Sequence, residues 1–124
     1  MKFVAKTDGV YRFTYVSDAI SGVSDPNSGT WNVRLYIYRN RYIVWNTQQD
    51  SKGNYRPLDP EAILGSGRPM DTVASAEAVD KGAFKEFPLR QNEFLWFIYP
   101  DVRNFFSDNR GGIMLSVTIV DALP

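Results

Sequence analysis

The chain has 124 residues, contains neither cysteine nor histidine, and balances 14 basic side chains against 14 acidic ones. The length suits a single domain over residues 1–124. The composition excludes disulfide frameworks, thiolate or imidazole metal sites and cysteine nucleophiles, and the zero net charge provides no electrostatic footprint for nucleic acid.

The first strands are indicated by residues that alternate between apolar and polar with a period of two. Phe3–Ala5 predicts a short edge strand, and the Asp8–Gly9 turn signal precedes the alternating run Val10–Tyr15. Three aromatic residues share one face of this run: Tyr11, Phe13 and Tyr15.

The alternation resumes in Trp31–Tyr38, where every second residue is apolar. Its apolar face holds four residues: Trp31, Val33, Leu35 and Ile37. The triplet Arg39–Arg41 predicts a bend, because its central Asn tolerates a left-handed backbone. We therefore expect a hairpin that continues into Tyr42–Trp45.

Residues 46–70 predict one long irregular stretch, because they contain three prolines among polar residues and glycines. An irregular connection of this length in a small domain is usually functional or ordered by a partner. The next segment, Thr72–Val79, allows either a helical turn or a strand. A strand is favoured, since Asp80–Gly82 resembles a hairpin turn.

The C-terminal part predicts three strands, in Ala83–Leu89, Phe94–Tyr99 and Ile113–Ile119. The second is almost continuously apolar and suits a central strand. The third alternates, with its odd-numbered apolar residues facing inward and its hydroxyl residues facing outward. Altogether the sequence predicts an all-β protein, an antiparallel β-sandwich or jelly roll of about eight strands without a convincing helix.

The loop between the last two strands holds a group of oxygen ligands, Asp101, Asp108 and Asn109. Two carboxylates and an amide oxygen are the ligands that Ca²⁺ prefers, whereas softer metals prefer nitrogen or sulfur. The same residue types also form ordinary β-turns. The residues alone therefore leave two readings open, a calcium site and a plain turn.

A resemblance to a known family bears on this choice. The run Phe97–Asp101, the pair Asp108–Asn109, Gly111 and the strand Ile113–Ile119 resemble the C-terminal motif of LecA-type bacterial lectins, which are galactophilic and calcium-dependent. The resemblance implies a jelly roll that binds Ca²⁺ through side chains and main-chain carbonyls together. The implied metal ligands are the side chains of Asp101, Asp108 and Asn109 and the main-chain carbonyls of Phe105 and, in the loop after the second strand, of Ser21.

The resemblance also implies where a saccharide would bind, since the sugar hydroxyls complete the calcium shell in that family. The implied sugar contacts are Asp101, Val102, Asp108, Asn109 and, on the middle stretch, Glu61. The family's sugar-contacting histidine has no counterpart in this histidine-free chain, so the identity of the sugar stays open. Four aromatic residues are a further candidate, either for stacking on sugars or for packing and subunit contacts. They are Tyr36, Tyr38 and Tyr42, which we expect on an exposed face, and Trp45.

These observations favour a calcium-dependent carbohydrate-binding module. We expect that it is not an enzyme, because no activated nucleophile can be assembled without histidine or a Gly-x-Ser-x-Gly elbow. We expect a homo-oligomer, since multivalency strengthens weak sugar binding. The alternative is a structural or assembly protein on a jelly roll, such as a phage or viral decoration, capsid or tail component.

The sequence also predicts a soluble protein that does not insert into a membrane. No apolar run approaches the ~20 residues of a membrane span, and Met1–Val4 does not begin the apolar core of a secretion signal. The compartment stays open between the cytoplasm, the extracellular medium and a virion.

Overall fold

The computed structural model describes residues 1–21, 30–43, 47–49, 51–53, 55–99 and 110–124. Within these residues the chain forms twelve strands and one helix. In chain order the elements are β1 (Lys2–Val4), β2 (Gly9–Ser17), β3 (Ile20–Ser21), β4 (Trp31–Asn32), β5 (Leu35–Arg39), β6 (Thr47–Gln49), β7 (Tyr55–Pro57), β8 (Ala62–Leu64), α1 (Val73–Asp80), β9 (Phe84–Leu89), β10 (Phe94–Ile98), β11 (Arg110–Gly111) and β12 (Met114–Asp121).

The strands form two main antiparallel sheets that pack face to face. One sheet has the order β1-β10-β5-β8 and the other the order β12-β2-β9. A small sheet, β11-β3-β4, and the hairpin β6-β7 complete the described part. The predicted all-β antiparallel sandwich is therefore confirmed, and β1 and β10 take the predicted edge and central positions.

The main core lies between the inner faces of the two sheets, and β2 shows why the sequence builds it. Tyr11, Phe13 and Tyr15 are all buried, as the alternation predicts. Phe13 has no exposed surface, and its ring lies 5.0 Å from Phe3, 6.0 Å from Phe87 and 5.2 Å from Phe97, measured between centroids. Because β1 and β10 belong to the four-stranded sheet and β9 to the three-stranded sheet, Phe13 packs against aromatic rings of both sheets.

The outer face of the four-stranded sheet carries a second apolar layer, which corrects one prediction. Tyr36 and Tyr38 were expected on an exposed face, but they are 9% and 1% exposed. The segments on either side of the β6-β7 hairpin cover them: Ile43 belongs to the same buried cluster, and Leu58 packs against that cluster. The Tyr38 hydroxyl donates to the Leu58 carbonyl at 2.7 Å. These rings are therefore core residues and not a sugar platform.

The stretch 46–70 is more regular than its composition predicts. It contains the strands β6, β7 and β8, and β8 pairs with β5 along Leu35–Ile37. The predicted hairpin from Arg39–Arg41 is also wrong. Asn40 does adopt a positive φ of 53°, but both edges of β5 are occupied by β10 and β8, so Tyr42 and Ile43 form no hairpin partner for it. Val44 and Trp45, the rest of the predicted second strand, lie outside the described residues.

Two other predictions about elements are wrong. The segment predicted as a strand at Thr72–Val79 is the helix α1, because the Thr72 hydroxyl caps its first turn by accepting from the Ser75 N–H at 3.1 Å. The alternation predicted through residues 31–38 is also interrupted. The first two residues form β4 in the small sheet, whereas β5 begins at Leu35 in the main sheet.

The last strand, β12, keeps the predicted orientation but is not buried. Leu115, Val117 and Ile119 pair with the buried residues of β2, so their side chains face the interior. Val117 and Ile119 nevertheless remain 40% and 55% exposed. The inner face of β12 therefore extends beyond the part that the opposite sheet covers.

Candidate functional site

The small sheet joins the chain segments on which the sequence analysis placed the site. Its three strands meet in one row, in which Ser21 of β3 pairs with Arg110 on one side and with Trp31 on the other. Ser21 directly precedes residues 22–29, and Arg110 directly follows residue 109. The structure thus brings the β3 end beside the residue that follows the Asp108–Asn109 pair in the sequence.

Gly111 explains how the two segments approach each other so closely. Its φ is +84°, a left-handed conformation that glycine adopts at little cost. A Cβ atom at this position would lie 2.2 Å from the carbonyl oxygen of Ala19. The pairing of β11 with β3 therefore requires glycine here.

The turn before β3 is fixed by polar contacts at Asp18, whose φ is +73°. The Asp18 N–H donates to the Glu77 carboxylate at 2.7 Å, and the Asp18 carboxylate accepts from the Ala19 N–H at 2.8 Å. The Tyr15 hydroxyl donates to the Asp18 carbonyl. These contacts hold the strand β3 in place from the side of the helix.

Two buried oxygen atoms at this sheet have no hydrogen-bond partner among the described residues. They are Ser21 Oγ and Asn32 Oδ1. Ser21 has no exposed surface, and Asn32 is 9% exposed. A buried polar atom without a partner costs about 1–3 kcal/mol, so each of these two positions calls for an explanation.

Asn32 also connects the sheet to the start of the segment 100–109. Its side-chain N–H donates to the Tyr99 hydroxyl at 2.8 Å, and Tyr99 directly precedes that segment in the sequence. The Asn32 and Ser21 side chains point to opposite faces of the small sheet, because their strands pair Ser21 with Trp31 and Ile20 with Asn32. The two oxygens therefore flank the sheet.

The electrostatic environment beside β3 is acidic. Burial is the largest cause that raises the pKa of Tyr15 to about 12, and the charges of Glu77, Asp80 and Asp18 raise it further. These three carboxylates favour the neutral phenol because they oppose a further negative charge. Three carboxylates thus lie within electrostatic range of the Tyr15 hydroxyl, next to the start of β3.

Of the other predicted site residues, Glu61 is described and lies elsewhere. It sits beside the Arg39 end of β5 in the four-stranded sheet, whereas Ser21 and Asn32 belong to the small sheet β11-β3-β4. Its carboxylate accepts from Arg39 Nε at 2.9 and 3.1 Å. Together with Asp59 and Arg41 they line a cavity of about 270 Å³. Glu61 is thus not brought to Ser21.

The remaining predicted positions lie outside the described residues. They are Asp101, Val102, Phe105, Asp108, Asn109 and the aromatic residue Trp45. Of the four aromatic residues considered for stacking, Tyr42 is exposed at 66%, and its ring packs on Trp96 at 4.5 Å between centroids.

Sequence reasoning missed two residues of the site, Asn32 and Tyr99. Asn32 was read as a polar residue of an alternating strand, and Tyr99 as the end of an apolar strand within the lectin-like run Phe97–Asp101. Neither residue carries a local signal of a contact with the other. Their role becomes visible only through the hydrogen bond between them, which spans 67 positions of the chain.

Within the described ranges, no group of three or more acidic residues is close enough to hold a metal ion by itself. Nor does any helix there have the length and apolar character needed to cross a membrane. A scan against protein-family models matches no family, and searches of curated proteins and of solved structures return no significant match.

Proposed function

We propose that the protein is a non-catalytic, calcium-dependent carbohydrate-binding module whose site lies at the β3-β11 end of the sandwich. The observation that carries the proposal is the row Arg110–Ser21, at which a buried serine hydroxyl lacks a partner among the described residues. The resemblance of the 97–119 segment to calcium-dependent lectins places the implied ligands in the adjoining sequence.

The donor chemistry fits a hard cation. Ser21 Oγ is a neutral oxygen atom, and the chain contains no thiolate or imidazole ligand that would favour zinc. The carboxylates of Asp18, Glu77 and Asp80 add negative potential beside β3. Such a site completed by Asp101, Asp108 and Asn109 would have the mixture of carboxylate, amide and main-chain oxygens typical of Ca²⁺.

A bound Ca²⁺ ion would supply a positive centre that accepts neighbouring sugar hydroxyls as additional ligands. The protein's own part would be to fix the two segments that carry the ligands. The β3-β11 pairing fixes Arg110, the residue that follows the 101–109 segment in the sequence, beside Ser21. The Asn32–Tyr99 hydrogen bond fixes the residue that precedes Pro100. Glu61 forms no part of this site, because its carboxylate is held by Arg39.

The decisive experiment is a calcium titration of chelator-stripped protein by isothermal calorimetry. We expect one binding site in the unmodified protein, loss of measurable binding in Asp101→Ala, and unchanged binding in the matched control Asp59→Ala, since Asp59 lines the cavity with Glu61. Absence of binding heat in the unmodified protein, together with an unchanged melting temperature, would reject the metal site.

The saccharide is tested separately on a glycan array in the presence of calcium. We expect glycan binding that chelator abolishes and calcium restores. A protein that binds calcium but no glycan would refute the carbohydrate-binding function while leaving the metal site intact. Ser21→Ala should lower the calcium affinity about tenfold and stabilise the metal-free protein, because it removes a buried hydroxyl without a partner.

A further inference from the structure

The strand β12 forms an open edge of the three-stranded sheet. It pairs with β2 on one side, and among the described strands no other lies beside it. Its inward-facing Val117 and Ile119 border a groove of about 320 Å³, whose opposite wall contains Phe3 and Val4 of the edge strand β1. The sandwich therefore has an uncovered apolar side between its two edge strands.

The middle of this edge lacks two of the devices with which proteins usually prevent edge pairing, charged side chains and proline. Residues 111–120 contain no charged side chain and no proline. The ladder with β2 is irregular at both ends, between Met114 and Leu115 and between Ile119 and Asp121. Between these irregularities lies a regular segment of β12, Leu115–Ile119, with Val117 at its centre.

The regular segment is chemically symmetric about Val117. In an antiparallel pair with its own copy, Val117 would face Val117, Leu115 would face Ile119, and Ser116 would face Thr118. Apolar residues then meet apolar residues on the inner face, and hydroxyls meet hydroxyls on the outer face. A two-fold axis between two residues would instead oppose inner to outer side chains, which the pleat does not allow.

From this symmetry we infer that the protein forms a two-fold dimer in which β12 pairs with β12 of a second copy about Val117. The dimer joins the two three-stranded sheets into one six-stranded sheet, and it brings the two apolar grooves together across the axis. The charge distribution favours a second copy as the occupant. A charged residue near a two-fold axis would lie close to the same charge on the second copy, and residues 111–120 contain no charged residue. The net charge of zero adds no long-range repulsion between the copies.

Cysteine cross-linking tests this arrangement directly, because the natural chain has no cysteine. Residues facing each other across an antiparallel pair have Cβ atoms about 4.5–5.5 Å apart, so a small shift allows a disulfide. Val117→Cys, oxidised with glutathione disulfide, should form a covalent dimer at least about tenfold faster than Val79→Cys, a matched control at a similarly exposed valine on α1.

The register is tested with two further variants, which also distinguish this dimer from any other self-association. A mixture of Leu115→Cys and Ile119→Cys protein, one of them carrying a size tag, should form the covalent heterodimer, whereas neither variant should cross-link efficiently with itself. Equal rates for Val117→Cys and Val79→Cys, or self-cross-linking of Leu115→Cys as fast as the mixture, would overturn the proposal.

Sedimentation velocity measures the association itself. Val117→Lys places two ammonium groups opposite each other at the axis and should weaken dimerisation at least about 100-fold, whereas Val79→Lys should leave it unchanged. An unmodified protein that sediments as a monomer at about 100 μM would contradict the dimer irrespective of how the lysine variants fold.

Discussion

The role of Gly111 in joining β11 to β3 leads to a prediction that two alanine variants can separate from ordinary backbone strain. Gly111 and Gly82 have nearly the same backbone conformation, with φ of +84° and +81°. An alanine Cβ at Gly82 would meet no atom within 4 Å, whereas at Gly111 it would lie 2.2 Å from the Ala19 carbonyl oxygen and 3.0 Å from the Trp31 ring. The two positions differ in the space available and not in the conformation required.

The loss of unfolding free energy in Gly82→Ala should therefore come from the left-handed strain alone, which costs about 1–2 kcal/mol. A gain of a few tenths of a kcal/mol, from restricting the unfolded chain, is subtracted from this loss. Gly111→Ala carries the same strain and must also displace β11 from β3. Losing two backbone hydrogen bonds at about 1 kcal/mol each brings the expected loss of unfolding free energy to about 3–4 kcal/mol. In a domain of this size the difference between the variants corresponds to a melting temperature lower by about 6–10 °C.

Urea unfolding followed by tryptophan fluorescence measures both variants under the same conditions. Because Gly111→Ala separates Arg110 from Ser21, it should also weaken calcium binding, which Gly82→Ala should not change. Equal stabilities of the two variants would refute the close approach of β11 to β3, and with it the geometry on which the site depends.

Three other predictions follow from the core and the polar contacts. Phe13→Ala should lower the free energy of unfolding by about 3–5 kcal/mol, measured by urea unfolding, because the ring fills the space between both sheets; a loss below about 1 kcal/mol would contradict that position. Because the pKa of Tyr15 is raised from 10.0 to about 12, the protein should lose stability as the pH rises from 10 towards 12, and Tyr15→Phe should lose less over that window in thermal melts. A double-mutant cycle of Arg39→Met with Glu61→Gln should give a coupling of about 0.5–1 kcal/mol, and a coupling of zero would contradict the two Nε contacts.

The sheets could be predicted from the sequence wherever one face of a strand is buried and the other is not. In β2 the burial of Tyr11, Phe13 and Tyr15 produces the period of two directly. The pattern fails where both faces are covered. Tyr36 and Tyr38 read as an outer face, but residues of a neighbouring segment pack over them, and such coverage depends on contacts distant in the chain.

The helix α1 and the site were harder to predict for different physical reasons. A helix of 8 residues offers little more than two turns of periodicity, so its alanines and its Thr72 cap compete with a plausible turn signal at Asp80–Gly82. The site depends on the pairing of Ser21 with Arg110, which are 89 positions apart, and on atoms that lack partners. Local residue patterns predict neither the long-range pairing nor the atoms without partners. They do reveal the oxygen-bearing side chains of the 101–109 segment.

The structure also changes what the exposed apolar residues of β12 signify. The alternation of Ile113–Ile119 predicts an inward face, and the register with β2 confirms its direction. The exposure of Val117 and Ile119 shows that the facing sheet does not cover it. A dimer through this edge would present two copies of the proposed carbohydrate site together and would raise avidity without any additional sugar contact.

The central claim, a calcium-dependent site at the β3-β11 end, is tested most directly by the thermal stability of chelator-stripped protein as calcium is added. At a free calcium concentration 100-fold above the dissociation constant, binding to the folded state alone stabilises it by about 2.7 kcal/mol. For a chain of 124 residues this corresponds to a rise in melting temperature of roughly 8–12 °C. Asp101→Ala should show no rise, and magnesium should not replace calcium. An unchanged melting temperature of the unmodified protein at 10 mM calcium would contradict the account.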